Sequence, residues 1–89
     1  MVVVKVKVRD QVGLHARPAT YFIQEANKYK SLVWIERNGK QVSAKSLLGI
    51  LSLGIFGGVT IKIIVDGPDE KKAAEELKRL IETGFAEQF

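Results

Sequence analysis

The stretch from Val2 to Arg9 does most to limit the folds open to this chain. Val2, Val4, Val6 and Val8 alternate there with Val3, Lys5, Lys7 and Arg9. A period of two belongs to a strand with one buried face and one largely wet face. Such a strand calls for a sheet that is covered on one side only. With 89 residues the chain can fill one modest core, so a single domain over residues 1–89 is expected. Hydrophobic residues make up 46% of it, well above the level at which chains stay disordered.

The pattern changes along the chain. From Ala16 to about Lys28, the apolar residues Ala19, Phe22, Ile23 and Ala26 recur at helical spacing and form one core-facing stripe. Leu32 to Arg37 is β-branched and aromatic, Asn38-Gly39 is a strong hairpin signal, and Lys40 to Ser43 returns as a strand. Ser46 in N-cap position and Gly54 as a stop bound a brief helix that runs to Leu53. Gly57-Gly58 turns the chain into Val59–Val65, which is apolar at nearly every position and suits a more completely buried central strand. Asp66-Gly67-Pro68-Asp69 reads as a turn followed by a cap. The last helix then turns Ala73, Leu77, Leu80, Ile81 and Phe85 inward. The order β-α-β-β-α-β-α is α+β, with helices on one face of an antiparallel sheet and the other face left to solvent.

Chemistry concentrates in Gly13-Leu14-His15-Ala16-Arg17-Pro18-Ala19, where the only histidine stands between a strand and a helix. Unpaired backbone N–H groups and the positive end of the helix dipole face that position, so an anion formed on the ring would be held there. The same field would disfavour the imidazolium, so the ring is expected in its neutral, nucleophilic form. Arg17 brings a guanidinium fork suited to phosphate oxygens. With the amides that begin at Ala16 it makes the candidate phosphate-binding group, and Pro18 stiffens the first turn. Taken alone, a histidine at a helix start is more often a cap or a surface residue.

This heptapeptide resembles the active-site signature of the HPr family, the histidine-containing phosphocarriers of the bacterial phosphotransferase sugar-uptake system. Lys45-Ser46-Leu47-Leu48-Gly49-Ile50-Leu51-Ser52-Leu53-Gly54 resembles the family's regulatory-serine helix. The resemblance implies an open-faced β-sandwich, with a four-stranded antiparallel sheet, three helices on one face and the fourth strand beside the first. It implies that His15 takes a phosphoryl group from enzyme I, itself charged by phosphoenolpyruvate, and passes it to enzyme IIA proteins, with Arg17 assisting. Such a carrier is an intermediate without turnover of its own. Ser46 is expected to be the target of an HPr kinase/phosphorylase, after which the chain would bind the catabolite control protein. Without that resemblance, Ser46 reads simply as an N-cap.

Leu47, Leu48 and Leu51 are too many apolar residues for one short helix to bury, so some should be exposed. By themselves they read equally well as ordinary core leucines, and the resemblance favours a docking surface. The family often has methionine or phenylalanine near Leu48 and Leu51, and larger side chains than Val12 and Gly57, which bears on partner choice. Paralogues dedicated to catabolite repression lack the active-site histidine, whereas this sequence has His15.

Several classes drop out. There is no cysteine and one histidine, so neither disulfides nor a zinc site is expected, and no bound cofactor or metal. No apolar run is long enough to span a membrane and no signal-peptide h-region is present, which points to the cytoplasm. The net charge is +4, but Lys5, Lys7, Arg9, Arg37, Lys40, Lys62, Lys71, Lys72, Lys78 and Arg79 are scattered. Direct nucleic-acid binding is not expected, because an RNA-reading sheet carries aromatics on its central strands and Trp34 stands alone. The distributed charge better suits acidic protein partners. The competing classes are a purely regulatory protein acting through Ser46 and a small nucleic-acid-binding module.

Overall fold

The valine alternation becomes an edge strand, β1 (Val2–Lys7), whose Val6 is buried while Val3, Lys5 and Lys7 face out. The computed structural model describes residues 1–9 and 16–85. After β1 come α1 (Ala16–Ala26), β2 (Leu32–Arg37), β3 (Lys40–Ser43), α2 (Leu47–Ser52), β4 (Thr60–Asp66) and α3 (Glu70–Glu82). The strands form one antiparallel sheet in the order β1-β4-β2-β3. The fourth strand therefore lies between the first and the second.

Register decides which side chains share a face. Val2, Val4 and Val6 stand opposite Val65, Ile63 and Ile61, and Val33 and Ile35 continue those rows in β2. They meet Ala19, Phe22 and Ala26 of α1, Ile50 of α2, and Ala73, Ala74, Leu77 and Ile81 of α3 in one core. The three helices thus share one face of the sheet. Removing side chains the size of Phe22 and Ile35 from water stabilises by roughly 1.5 to 3 kcal/mol each, and both are fully buried. The opposite face carries Lys5 against Lys62 and, one row along, Val3, Ile64 and Trp34.

Some expected boundaries move. β1 ends at Lys7, yet Val8 still donates to the Val59 carbonyl and accepts from the Gly58 amide, both at 2.9 Å. Pairing therefore continues for one residue on a looser ladder. β4 starts at Thr60 and runs on to Asp66, one residue later at each end than its apolar run. α1 stops at Ala26, short of Lys28. Asn38 and Gly39 adopt positive φ angles of 51° and 81°, as a tight hairpin between β2 and β3 requires.

Two expectations at α3 are corrected. Asp69 occupies the N-cap position but makes no side-chain cap bond. Its carboxylate instead accepts from the Lys30 amide (2.9 Å), the Ser31 amide (3.0 Å) and the Ser31 hydroxyl (2.5 Å). These bonds, the Ser31 hydroxyl first, hold the Asp69 carboxyl below the ordinary aspartate value. Ser31 is fully buried, so its polar groups need those acceptors. Phe85 is buried as expected, but it lies beyond the helix at φ 60°. The Gly84 amide donates to Ile81 and the Phe85 amide to Leu80, each at 3.0 Å, closing the helix with the double bond of a Schellman motif. That reversal brings the Phe85 ring edge-on to Tyr21, with 6.3 Å between centroids.

Candidate functional site

α1 opens with Ala16, Arg17 and Pro18 in its first turn. The first-turn amides have no intrahelical acceptor, so proline there removes no helical bond. Arg17 is exposed and Pro18 buried. The start of the helix is thus anchored on one side and presents a cation on the other. His15, with Gly13 and Leu14, lies outside the described residues.

Ser46 holds the start of α2. Its backbone is extended (φ −111°, ψ 110°), and its hydroxyl accepts from the Gly49 amide at 3.0 Å. The Ser46 carbonyl accepts from Ile50 at 3.0 Å, the first helical bond. A Cβ on Gly49 would lie 3.1 Å from Ser46 Oγ and 3.3 Å from Val42 Cβ. Glycine there lets the turn close against both the serine and β3. The serine side chain is exposed while it does this.

Burial divides the leucines of α2. Ile50 and Leu53 enter the core, Leu51 packs half-buried against it, Leu47 is 37% exposed and Leu48 is 80% exposed. One side of the helix is taken up by the core, which leaves Leu47 and Leu48 over. The docking expectation thus has exposed surface at the N-terminal end of α2 and much less at Leu51. α2 also packs against α1, so Ala16–Ala19 of the first block and the Ser46 block, far apart in the chain, lie on neighbouring helices.

At the other end of α2 the hairpin reaches across. Arg37 Nη1 donates to the Leu53 and Gly54 carbonyls at 2.8 and 2.6 Å, and Lys40 Nζ donates to Ser52 Oγ at 3.2 Å. The Arg37 guanidinium carbon sits 5.0 Å from the centre of the Phe56 ring. The charge pattern alone leaves Arg37 among scattered charges, and periodicity gives Phe56 no role. The available signal was an aromatic residue outside any periodic run, between Ile55 and Gly57-Gly58. Among the described residues no group of three or more His, Asp or Glu side chains is placed to hold a metal ion.

The model of the PTS HPr component phosphorylation-site family matches residues 2–83. The chain belongs to the HPr family. Curated relatives in that family include an HPr-like protein Crh of Halalkalibacterium halodurans, 49% identical over 92% of this chain and 98% of that protein. The phosphocarrier protein HPr of Treponema pallidum is 35% identical over 99% of this chain and 100% of that one. Among solved structures, HPr-C-His from Thermoanaerobacter tengcongensis superposes with a TM-score of 0.92 at 43% identity, each chain fully covered. The HPr fold, with helices on one face of a β1-β4-β2-β3 sheet, is therefore common to this chain and to that HPr.

Proposed function

We propose that this HPr-family chain is a working phosphocarrier. His15 accepts a phosphoryl group from enzyme I, charged by phosphoenolpyruvate, and gives it to enzyme IIA proteins. The observation that carries this reading is the juxtaposition of α1, which begins at Ala16 with Arg17 exposed, and the Ser46-capped α2 packed beside it. In the transfer, a ring nitrogen of neutral His15 forms a bond to phosphorus as the donor's bond to phosphorus breaks. The second transfer reverses this, with the enzyme IIA group as nucleophile. The first-turn amides from Ala16 and the Arg17 guanidinium steady the phosphate oxygens without trapping them. The protein is itself the phosphorylated intermediate and has no turnover of its own. It works in the cytoplasm as one domain over residues 1–89, with no direct contact with nucleic acid or membrane.

Docking to enzyme I and enzyme IIA uses the Leu47, Leu48 and Leu51 side of α2, of which Leu47 and Leu48 are the exposed part. Ser46 is the regulatory site, phosphorylated by an HPr kinase/phosphorylase, and the modified form engages the catabolite control protein. The similarity to an HPr-like Crh protein favours a second reading, in which the chain is purely regulatory and acts through Ser46. The presence of His15 in the sequence supports the carrier. A relay assay separates the two: enzyme I, phosphoenolpyruvate and this chain are mixed with an enzyme IIA, and label on the IIA is followed. Label that reaches the IIA only when this chain is added supports the carrier. Labelling by the serine kinase alone supports the regulator.

A further inference from the structure

We infer that Phe56 is a second docking anchor, placed by Arg37, which extends the partner-binding face from the start of α2 past its C-terminal end; this rests on the docking reading above. The fold makes little use of this ring, since Phe56 is 61% exposed. It is not left loose, however. The guanidinium that stacks on it at 5.0 Å is fixed by two short bonds to the Leu53 and Gly54 carbonyls. Those carbonyls close α2, so one side chain both ends the helix and braces the aromatic ring. Arg37 Nε is buried without a hydrogen-bond partner, so the fork is held at the helix end although one of its donors goes unused. Backbone geometry reinforces the placement. Gly54 takes φ 61°, and a Cβ there would lie 3.5 Å from Arg37 Nη1.

A ring held by a cation on one face loses little freedom when a partner covers the other, and preordered aromatics are the residues on which interface energy concentrates. Charge defines what covers it. From Arg37 to Val65 the sequence has no acidic residue, and the charged side chains on the α2 side are Arg37, Lys40 and Lys45, since Lys62 lies on the opposite face of the sheet beside Glu36. Lys45 is exposed near the start of α2, while Lys40 lies along its far end. The fitting occupant is a protein surface with an apolar pocket for the ring and carboxylates around it, which is the surface that enzyme I would present to α2. A nucleic acid would meet the same charges but would find one aromatic where strand-reading surfaces use several.

The test measures steady-state phosphoryl transfer from enzyme I to the intact chain, with melting temperatures in parallel. For Phe56→Ala the expected result is a KM about tenfold higher at unchanged kcat, the loss of roughly one interface anchor. Its melting temperature should stay close to that of wild type, and Phe56→Tyr should restore KM. Arg37→Ala should raise KM less, and should add nothing once Phe56→Ala is present, because it acts through the ring. An equal effect of Arg37→Ala in both backgrounds overturns the positioning role. Leu48→Ala is the reference. If it raises KM and Phe56→Ala does not, the docking reading stands and this inference falls. If neither does, the docking reading itself falls. If wild type accepts no phosphoryl group, the carrier reading falls and this inference with it. Tight binding of a single-stranded oligonucleotide that Phe56→Ala abolishes would replace the protein occupant with a nucleic acid.

Discussion

Ser46 carries two roles that a pair of substitutions can pull apart. In the unmodified chain its hydroxyl accepts one hydrogen bond, from the Gly49 amide at 3.0 Å, while its backbone bonds to Ser43 and Ile50 do not depend on the side chain. Ser46→Ala therefore removes one N-cap bond and leaves the half-buried Gly49 amide to water. A cap of this kind contributes about 1 kcal/mol. In a domain of this size that corresponds to a fall in melting temperature of roughly 4–8 °C. Ser46→Asp keeps an acceptor at the same place and adds a charge. Because α2 is only six residues long, its dipole adds a few tenths of a kcal/mol at most, and the melting temperature should match wild type within a couple of degrees. Transfer from enzyme I should behave differently. The added negative charge opposes acidic partners, so Ser46→Asp should slow transfer, the kinase-treated protein should slow it further, and high salt should weaken both effects. Thermal melts followed by circular dichroism, paired with transfer rates at low and high salt, give the comparison. If Ser46→Asp melts as low as Ser46→Ala, the capping account is wrong. If the modified forms transfer as fast as wild type at low salt, Ser46 is a structural cap only and the switch fails.

Other expectations follow from the same geometry. The Asp69 carboxyl is held below its ordinary value, so its contribution is fully present above that value and is lost as pH falls through the lowered one. Asp69→Asn should reduce stability at neutral pH and flatten the acid limb of a melting temperature against pH curve; an unchanged acid limb would show that other carboxylates set it. In Gly67→Ala the new methyl would fall 2.6 Å from the Cα of Ser31. The loop must shift at a cost of about 1–3 kcal/mol, read as a lower midpoint in urea; a wild-type midpoint would mean that the close approach relaxes freely. Arg17→Ala should still accept a phosphoryl group but do so more slowly. Each charge-assisted bond made only in the transition state is worth roughly 1.5–3 kcal/mol, or about one to two decades in rate. Unchanged kinetics would leave the backbone amides as sufficient.

Local physics was legible in the sequence, and distant pairing was not. The strand periods, the Asn38-Gly39 hairpin and the Ser46 cap depend on neighbours within a few residues, and they stand where the pattern put them, to within a residue or two at the strand ends. Asp69 shows the limit. An aspartate before a helix is a cap by local rules, but another loop offers it three donors, the Lys30 amide and the amide and hydroxyl of the fully buried Ser31, and those bonds win. Phe85 fitted the helical stripe because its ring does reach the core, although it gets there by a left-handed reversal that hydrophobic spacing does not register. The place of β4 beside β1 came from family resemblance and its insertion between β1 and β2 from the fold alone, since alternation fixes faces and not neighbours. The candidate site divides in the same way. Ser46 and the exposed leucines could be read from helix arithmetic, whereas the contact between Arg37 and Phe56 joins a strand end to a loop that only the folded chain brings together.

The central claim is that His15 carries a phosphoryl group, and intact mass measurement addresses it most directly. Wild type and His15→Ala are each incubated with enzyme I and phosphoenolpyruvate, then weighed before and after brief acid treatment. The account predicts one added phosphoryl group on wild type that acid removes, and none on His15→Ala, which should stay folded. An unmodified wild type, or label retained on His15→Ala, would contradict it.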